Sequence, residues 1–421
     1  MSSIAIVSEN NGDGGASRAT RRTIIGLNEI SEKIFFEYIC NGEPENGYIQ
    51  KKPVYNNFSK IFYQNKFLRN IIKKIINKLW GSFYLKNYHN PKIFLRFGNS
   101  INYSKTFNNF DIVHIFWGQT FINPRSFLKL NKPIVITLHD MWFLTGGCSY
   151  CFECKEYKNY CLNCPDVNNY FINLTKNQFN AKIKLLQSPK TFIVVTSEWM
   201  AKKVLEVGIN KNKITKIMNH IPNNYKYLNR KAECRKELEW QRKFLDRKII
   251  YFAGSISDPR KGFSILVQAL LLLSKKIKSK IALQILGSKI KEFEFLDREN
   301  IAYKSLGYFP DQERQIIAYN SADLLICPSS FDNSPNVIAE AQMCGLPAIA
   351  FSNTGAAEMI ESGISGNVIQ KNNIKDLSKY LEKWVSENDR FNPFMVSDWA
   401  NKKYGLKETC EKYINLYKKI I

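Results

Sequence analysis

The chain has 421 residues, 44% of them hydrophobic and 13% aromatic, and a formal charge of +24. That length and apolar content suffice for two domains with separate cores, and they argue for a globular chain rather than a disordered one. No run of eighteen apolar residues occurs, so no membrane-spanning helix is expected. Ten cysteines with no basic, apolar leader before the first strand point to a reducing compartment, the cytoplasm, rather than a disulfide framework.

Ser3 to Ser8 reads as a strand, and Asn11 to Gly15 as a glycine turn opening a helix over residues 16–29. Between strand and helix, the backbone at Gly14 and Gly15 can approach a ligand closely. Farther on, Lys66 to Trp80 places Phe67, Leu68, Ile71, Ile72, Ile75, Ile76 and Leu79 on one helical face and cations, including Lys73, Lys74 and Lys78, on the other. Such a helix packs on a core or lies in the headgroup layer of an anionic bilayer. The charge of +24 has three readings: solvated lysines, an anionic membrane or nucleic acid. Without a Cys/His zinc finger, an RNP-like aromatic motif or a basic helix-turn-helix, a nucleic-acid partner is not expected.

Three apolar runs follow as strands: 111–117 containing His114, 133–140 ending in His139 and Asp140, and 191–197. Their polar groups sit at the C-terminal ends, where open α/β sheets bind ligands. His89 has no informative context; His114 is a candidate for a cleft lining, and His220 stands at a hinge. Five cysteines crowd into one segment, Cys148, Cys151, Cys154, Cys161 and Cys164. The C-x2-C pair at its end has the spacing of a metal knuckle, so a thiolate zinc site is chemically reasonable; a reduced packed loop and a redox-formed bridge are the alternatives.

A turn-rich connection at Ile221 to Asn224 divides the chain into residues 1–222 and 223–395, with a C-terminal helical stretch over 396–421. The second half should open with a charged helix over 231–247 and then run strands at Lys248, Lys280, Asp323 and Pro347. The loop from Ser255 to Gly262 sets Arg260 and Lys261 beside a helix start, a natural place for phosphate. In the stretch from Ser329 to Ala350, the strand at Asp323 empties into a helix with Asn333 as cap and Pro335 as first helical residue. Its free N–H groups near Pro335, Asn336 and Val337 make a second phosphate seat. Asp332 stands before that seat and Glu340 lies within the helix. A carboxylate cannot favour the phosphate it faces, so these two suit neutral hydroxyls, a sugar at Asp332 and a ribose at Glu340.

Asp332 and Glu340, with seven residues between them and followed by Cys344-Gly-Leu-Pro347 and Thr354-Gly-Ala-Ala-Glu358, resemble the Glu-x7-Glu motif of retaining GT-B-fold glycosyltransferases, family 4-like, group 1. Asp for Glu at the first position shortens the reach by one methylene. The resemblance implies two Rossmann-like domains facing across a cleft, the first binding acceptor and the second a nucleotide-sugar, with the last helix crossing back to the first domain. It further implies Asp332 near the donor sugar, Glu340 on the ribose, Lys261 on phosphate, and Gly14 and Gly15 on the cleft rim. Ser255 replaces the family's usual Arg, and Arg260 is the candidate substitute. A subset with Leu-His-Asp before a cysteine insertion implies His139 on the transferred sugar, oriented by Asp140, and selects Cys148, Cys154, Cys161 and Cys164 for structural zinc. No Asp-x-Asp occurs, so catalysis is expected to need no metal or other cofactor. The implied activity is retaining sugar transfer from a nucleotide-sugar to a glycan or lipid-linked acceptor in surface polysaccharide synthesis, at a peripheral place on the membrane. A sugar-nucleotide epimerase of the same fold is the neighbouring alternative.

Overall fold

A computed structural model describes residues 2–8, 14–31, 33–40, 51–53, 106–118, 122–168, 172–287, 293–307, 309, 311–387 and 391–421. The expected basic helix at Lys66 to Trp80, His89 and the turn residues Asn11 to Asp13 lie outside them. The chain divides into two compact units, Met1–Met218 with Cys410–Ile421, and Asn219–Thr409.

The first unit is built on a seven-stranded parallel sheet in the order β3-β2-β1-β4-β5-β6-β7. Its strands are β1 Ser2–Ser8, β2 Ile34–Cys40, β3 Lys51–Pro53, β4 Ile112–Trp117, β5 Ile134–Leu138, β6 Thr191–Val195 and β7 Ile214–Lys216. The central strands are continuous apolar runs because both faces are covered, as parallel sheets require. Helices α1 Gly15–Ile30, α2 Ile172–Gln187 and α3 Glu198–Glu206 belong to this unit. Its core gathers Val7, Val113, Ile136, Trp142, Phe179 and Ile193, and takes in Cys151 and Cys161.

The second unit has a six-stranded sheet, β10-β9-β8-β11-β12-β13. Its elements are α4 Lys231–Glu237, β8 Lys248–Ala253, α5 Phe263–Leu271, β9 Ile281–Leu286, β10 Ala302–Ser305, α6 Gln312–Ser321, β11 Leu324–Cys327, α7 Asn336–Met343, β12 Ala348–Phe351, β13 Gly366–Ile369, α8 Ile374–Ser386 and α9 Pro393–Tyr404. A last helix, α10, spans Leu406–Ile420. The strand expectations hold, and three helix expectations change. The helix over 231–247 stops at Glu237, because Glu239 takes a left-handed conformation and turns the Trp240 indole N–H onto Gln284. The stretch 396–421 is two helices broken at Gly405, whose backbone is extended. The units divide within the first turn of that last helix, with Cys410–Ile421 in the first unit. Finally, α7 begins at Asn336 with Pro335 as its cap residue, one residue later than expected, and Asn333 does not cap it.

Candidate functional site

In the second sheet the winding reverses between β8 and β11, the switch point where open α/β sheets place ligands beyond the strand C-termini. Three loops meet there. After β8, Asp258 accepts from the Arg260 amide at 3.1 Å and starts a short turn of 3-10 helix, Pro259–Lys261. Gly262 closes it with φ +73°, and a Cβ there would come within 2.0 Å of the Pro328 carbonyl on the next loop. Only glycine allows that approach. The Ser330 amide donates to the Arg260 carbonyl at 2.9 Å and the Gly355 amide to the Asp332 carbonyl at 2.8 Å, which binds the loop after β12 to the other two.

Asp332, 5% exposed, is the electrostatic centre of these loops. Its Oδ2 accepts from Lys261 Nζ at 2.6 Å and from Arg260 at 3.3 Å. Burial pushes the Asp332 carboxyl up, but the two cations outweigh burial and hold it below its ordinary range, so it is a carboxylate. Arg260 is not an open phosphate fork. Its guanidinium is turned inward onto the Phe331 carbonyl, Asp332 and Asp258, where it fastens one loop to the other. Lys261, partly exposed, is the cation positioned to meet a ligand. Beside it, α7 starts at Asn336 and Val337 without a side-chain cap, leaving the first-turn donors characteristic of an anion seat. Asn219 donates to the Asn336 side chain at 2.9 Å and steadies that start.

Glu340 is 1% exposed and accepts from the Tyr319 hydroxyl at 2.6 Å. It is therefore neither a solvated helix face nor an open carboxylate; a hydroxyl already occupies one of its oxygens, as a sugar hydroxyl would. A cavity of about 810 Å³ in this unit lies at the opposite, N-terminal end of the strands, lined by Lys231, Arg235, Lys248, Asp323 and Trp384. Its cations are spent on structure: Arg235 donates to the Ser321 carbonyl and Asp323, and Lys248 to the Trp384 carbonyl. Cations at helix C-termini answer the negative end of the dipole, so this cavity is not the phosphate seat.

The first sheet reverses between β1 and β4. Gly14, at φ +121°, and Gly15 open α1 with nothing within 4 Å of where a Cβ would stand. Past β5, His139 is half-buried, and burial lowers its pKa to about 4, so the ring is neutral at physiological pH. Asp140 takes the Trp142 amide at 2.8 Å and the Trp117 indole at 3.3 Å, and so braces the turn after His139. His114 does not line an open surface. It is fully buried between hydroxyls, with burial holding it well below its ordinary pKa, and His220 is buried as well.

The described cysteines are free thiols. Burial raises Cys148, and Cys164, Cys161 and Cys154 are close enough to raise it further; Cys161 is pushed up to about 12 although the Gly146 amide donates to its sulfur at 3.1 Å. In the arrangement seen, no three His, Cys, Asp or Glu side chains among the described residues form a group that could hold a metal ion. Beneath this loop lies a residue the sequence did not single out. Lys182 is fully buried, donates to the Trp142 and Thr145 carbonyls at 2.8 and 3.0 Å, and stands 3.9 Å over the Trp142 ring. Burial brings its pKa down to about 7.

Residues 235–394 match the family described as Glycosyl transferases group 1, and they contain Lys261, Asp332 and Glu340. The match covers most of the second unit. Among similar proteins, an uncharacterized 41.2 kDa protein in the cps region of Klebsiella pneumoniae is 26% identical over 240 residues, covering 56% of this chain and 63% of that protein. The capsular polysaccharide biosynthesis glycosyltransferase CapM of Staphylococcus aureus is 25% identical over 209 residues, 47% of this chain and 53% of CapM. The chain thus spans between half and two thirds of the length of these curated relatives. The Anabaena protein Alr3699/HepE, solved with UDP and glucose, matches the whole of both chains with a TM-score of 0.69 at 14% identity, a likeness of fold. The two units are therefore those of the GT-B fold, and the ionic cluster at β8 and β11 lies within the stretch that is similar to the group 1 family.

Proposed function

We propose that this chain is a retaining, metal-independent glycosyltransferase that moves a sugar from a nucleotide-sugar to a glycan or lipid-linked acceptor in surface polysaccharide synthesis. The observation that carries the reading is the Asp332–Lys261 pair at 2.6 Å beside the uncapped start of α7, inside the stretch that matches group 1 transferases. Lys261 and the amides at Asn336 and Val337 receive the donor diphosphate and stabilise it as charge develops on departure, a type of preorganised donor worth about 3 kcal/mol each. Asp332 holds Lys261 in place and accepts from a sugar hydroxyl; Glu340 shares its carboxylate between Tyr319 and the ribose. The neutral His139 exchanges hydrogen bonds with the sugar, and the leaving phosphate takes the acceptor proton. That CapM, named for capsular polysaccharide biosynthesis, resembles this chain supports the setting. Turnover of nucleotide-sugars with and without acceptor is the test. Lys261→Ala and Glu340→Gln should each lower transfer about 100-fold or more, Lys261→Ala with some loss of stability because it takes a cation from the buried Asp332, so rates are compared well below each variant's melting point; wild-type rates in both remove the reading, and donor turnover without acceptor gives it to an epimerase.

The same reading includes a structural zinc on Cys148, Cys154, Cys161 and Cys164. Backbone hydrogen bonds at Cys154 from Glu156, at Cys161 from Gly146, and at Cys164 from Asp166 and Val167 lean toward the thiolate, but burial outweighs them and raises all three thiols, so it is a bound ion that would have to draw the protons off. The side chains would have to close around the ion, with no coordination position left open. Metal analysis of untagged protein should find about one zinc per chain, lost in the Cys161→Ser, Cys164→Ser double variant; metal-free, folded wild type makes this a packed thiol loop. Attachment to an anionic membrane surface belongs here too, supported by the charge of +24. Sedimentation with anionic but not neutral vesicles tests it.

A further inference from the structure

Tyr413 and Tyr417 stand one turn apart on α10, about 300 residues beyond the strands they touch. The Tyr417 hydroxyl lies 2.7 Å from His114 Nδ1, and His114 Nε2 lies 2.8 Å from the Thr137 hydroxyl. The Tyr413 hydroxyl meets the same Thr137 oxygen at 3.3 Å. Thr137 is on β5, two residues before His139. The rings continue the connection: His114 stacks on Phe116 at 4.0 Å and 28°, and Phe116 on His139 at 6.0 Å and 25°. All of these residues belong to the first unit.

Packing alone does not call for this arrangement. A β-strand core accepts leucine or phenylalanine at such positions without polar atoms, whereas each buried hydroxyl or imidazole costs free energy unless its partner is in place. Here every member has one. A neutral imidazole supplies one donor and one acceptor, so the chain of hydrogen bonds fixes the rotation of His114, and with it the ring on which Phe116 rests.

We propose that Tyr417 is a positioning residue for His139, acting through His114 with Thr137 on one side and Phe116 on the other. The device rests on the reading of His139 as the group facing the transferred sugar. Loss of the Tyr417 hydroxyl frees His114 to rotate, loosens the Phe116 contact and spreads His139 over several orientations. Small misplacements of this kind lower turnover more than they weaken donor binding.

The experiment compares Tyr417→Phe, Thr137→Val and Thr137→Ser in the full chain by the His139 ring-proton NMR signals and by transfer kinetics. Tyr417→Phe and Thr137→Val should shift or broaden the His139 signals and lower kcat about 10-fold with donor KM within about 2-fold, while Thr137→Ser, which keeps the hydroxyl, stays near wild type. If the His139 signals are unmoved in Tyr417→Phe, the coupling is wrong whatever the enzyme does. If Thr137→Ser fails as badly as Thr137→Val, the hydroxyl is not the connection and the proposal is overturned. Shifted signals in a protein with no transfer activity would leave the coupling standing and remove the function on which its purpose depends.

Discussion

Both sheets reverse their winding once, between β1 and β4 in the first unit and between β8 and β11 in the second, and the two places are furnished with opposite chemistry. In the second unit two cations converge on one carboxylate oxygen within 3.3 Å. The first unit offers two histidines that burial keeps neutral, with hydroxyls and aromatic rings around them. Topology provides a place; the residues at the strand ends decide what it can hold. An ionic cluster that keeps Lys261 partly exposed beside the uncapped start of α7 suits a diphosphate that leaves with added charge. A neutral, partly apolar wall suits sugar hydroxyls and would gain little from charge.

The contrast can be broken first at its ionic end. Asp332→Ala leaves Arg260 buried and Lys261 partly buried without their shared partner, and should cost about 3 kcal/mol, the low end for breaking a buried pair because Lys261 retains some solvent. Urea unfolding of this variant beside His139→Asn, expected to change stability by less than about 1 kcal/mol, measures the asymmetry; equal costs would erase it. The next effect is in the first unit. Lys182 titrates at about 7 folded and near its ordinary value of 10.5 unfolded, so between those values the unfolded chain binds more protons and stability rises with pH. The rise is up to about 1.4 kcal/mol per pH unit near the middle of that window. Lys182→Met should remove it, seen as a flatter difference in unfolding midpoint between pH 7 and pH 9; an unchanged slope would place the titration elsewhere. Smallest is the pH dependence of transfer. With His139 neutral above about 4, kcat/KM should show no inflection near 6.5. An inflection there that disappears in His139→Gln would make the first unit's site ionic after all.

The sequence carried the strands well, because buried parallel strands are unbroken apolar runs, and it carried Asp332, Glu340 and Lys261 because spacing and turn residues survive as local signals. What it could not carry was direction. Arg260 and Lys261 are adjacent and both reach Asp332, yet Arg260 is buried among the loops while Lys261 keeps part of its side chain in solvent, a difference made by the extra Arg260 bonds to Asp258 and the Phe331 carbonyl. Asp140 was legible as a neighbour of His139, but its bonds to Trp117 and Trp142 depend on how the turn folds. The helix start at Asn336 fell one residue later than the proline rule suggests. His114 and Tyr417 are 303 positions apart, and no local pattern announces their hydrogen bond. The tyrosines' spacing of four on a helix was visible and marked only a shared face.

The first unit is closed by Cys410–Ile421, after the whole of residues 219–409 has been made. At ribosomal speeds of about 5–20 residues per second, its sheet waits roughly 10–40 s for its last helix. Throughout that interval His114 and Thr137 face a notch where Tyr413 and Tyr417 will later sit. The nascent first unit is therefore born with an open polar seam in its core, and a chain cut short at Thr409 would hold all of the second unit's residues and a first unit that never seals.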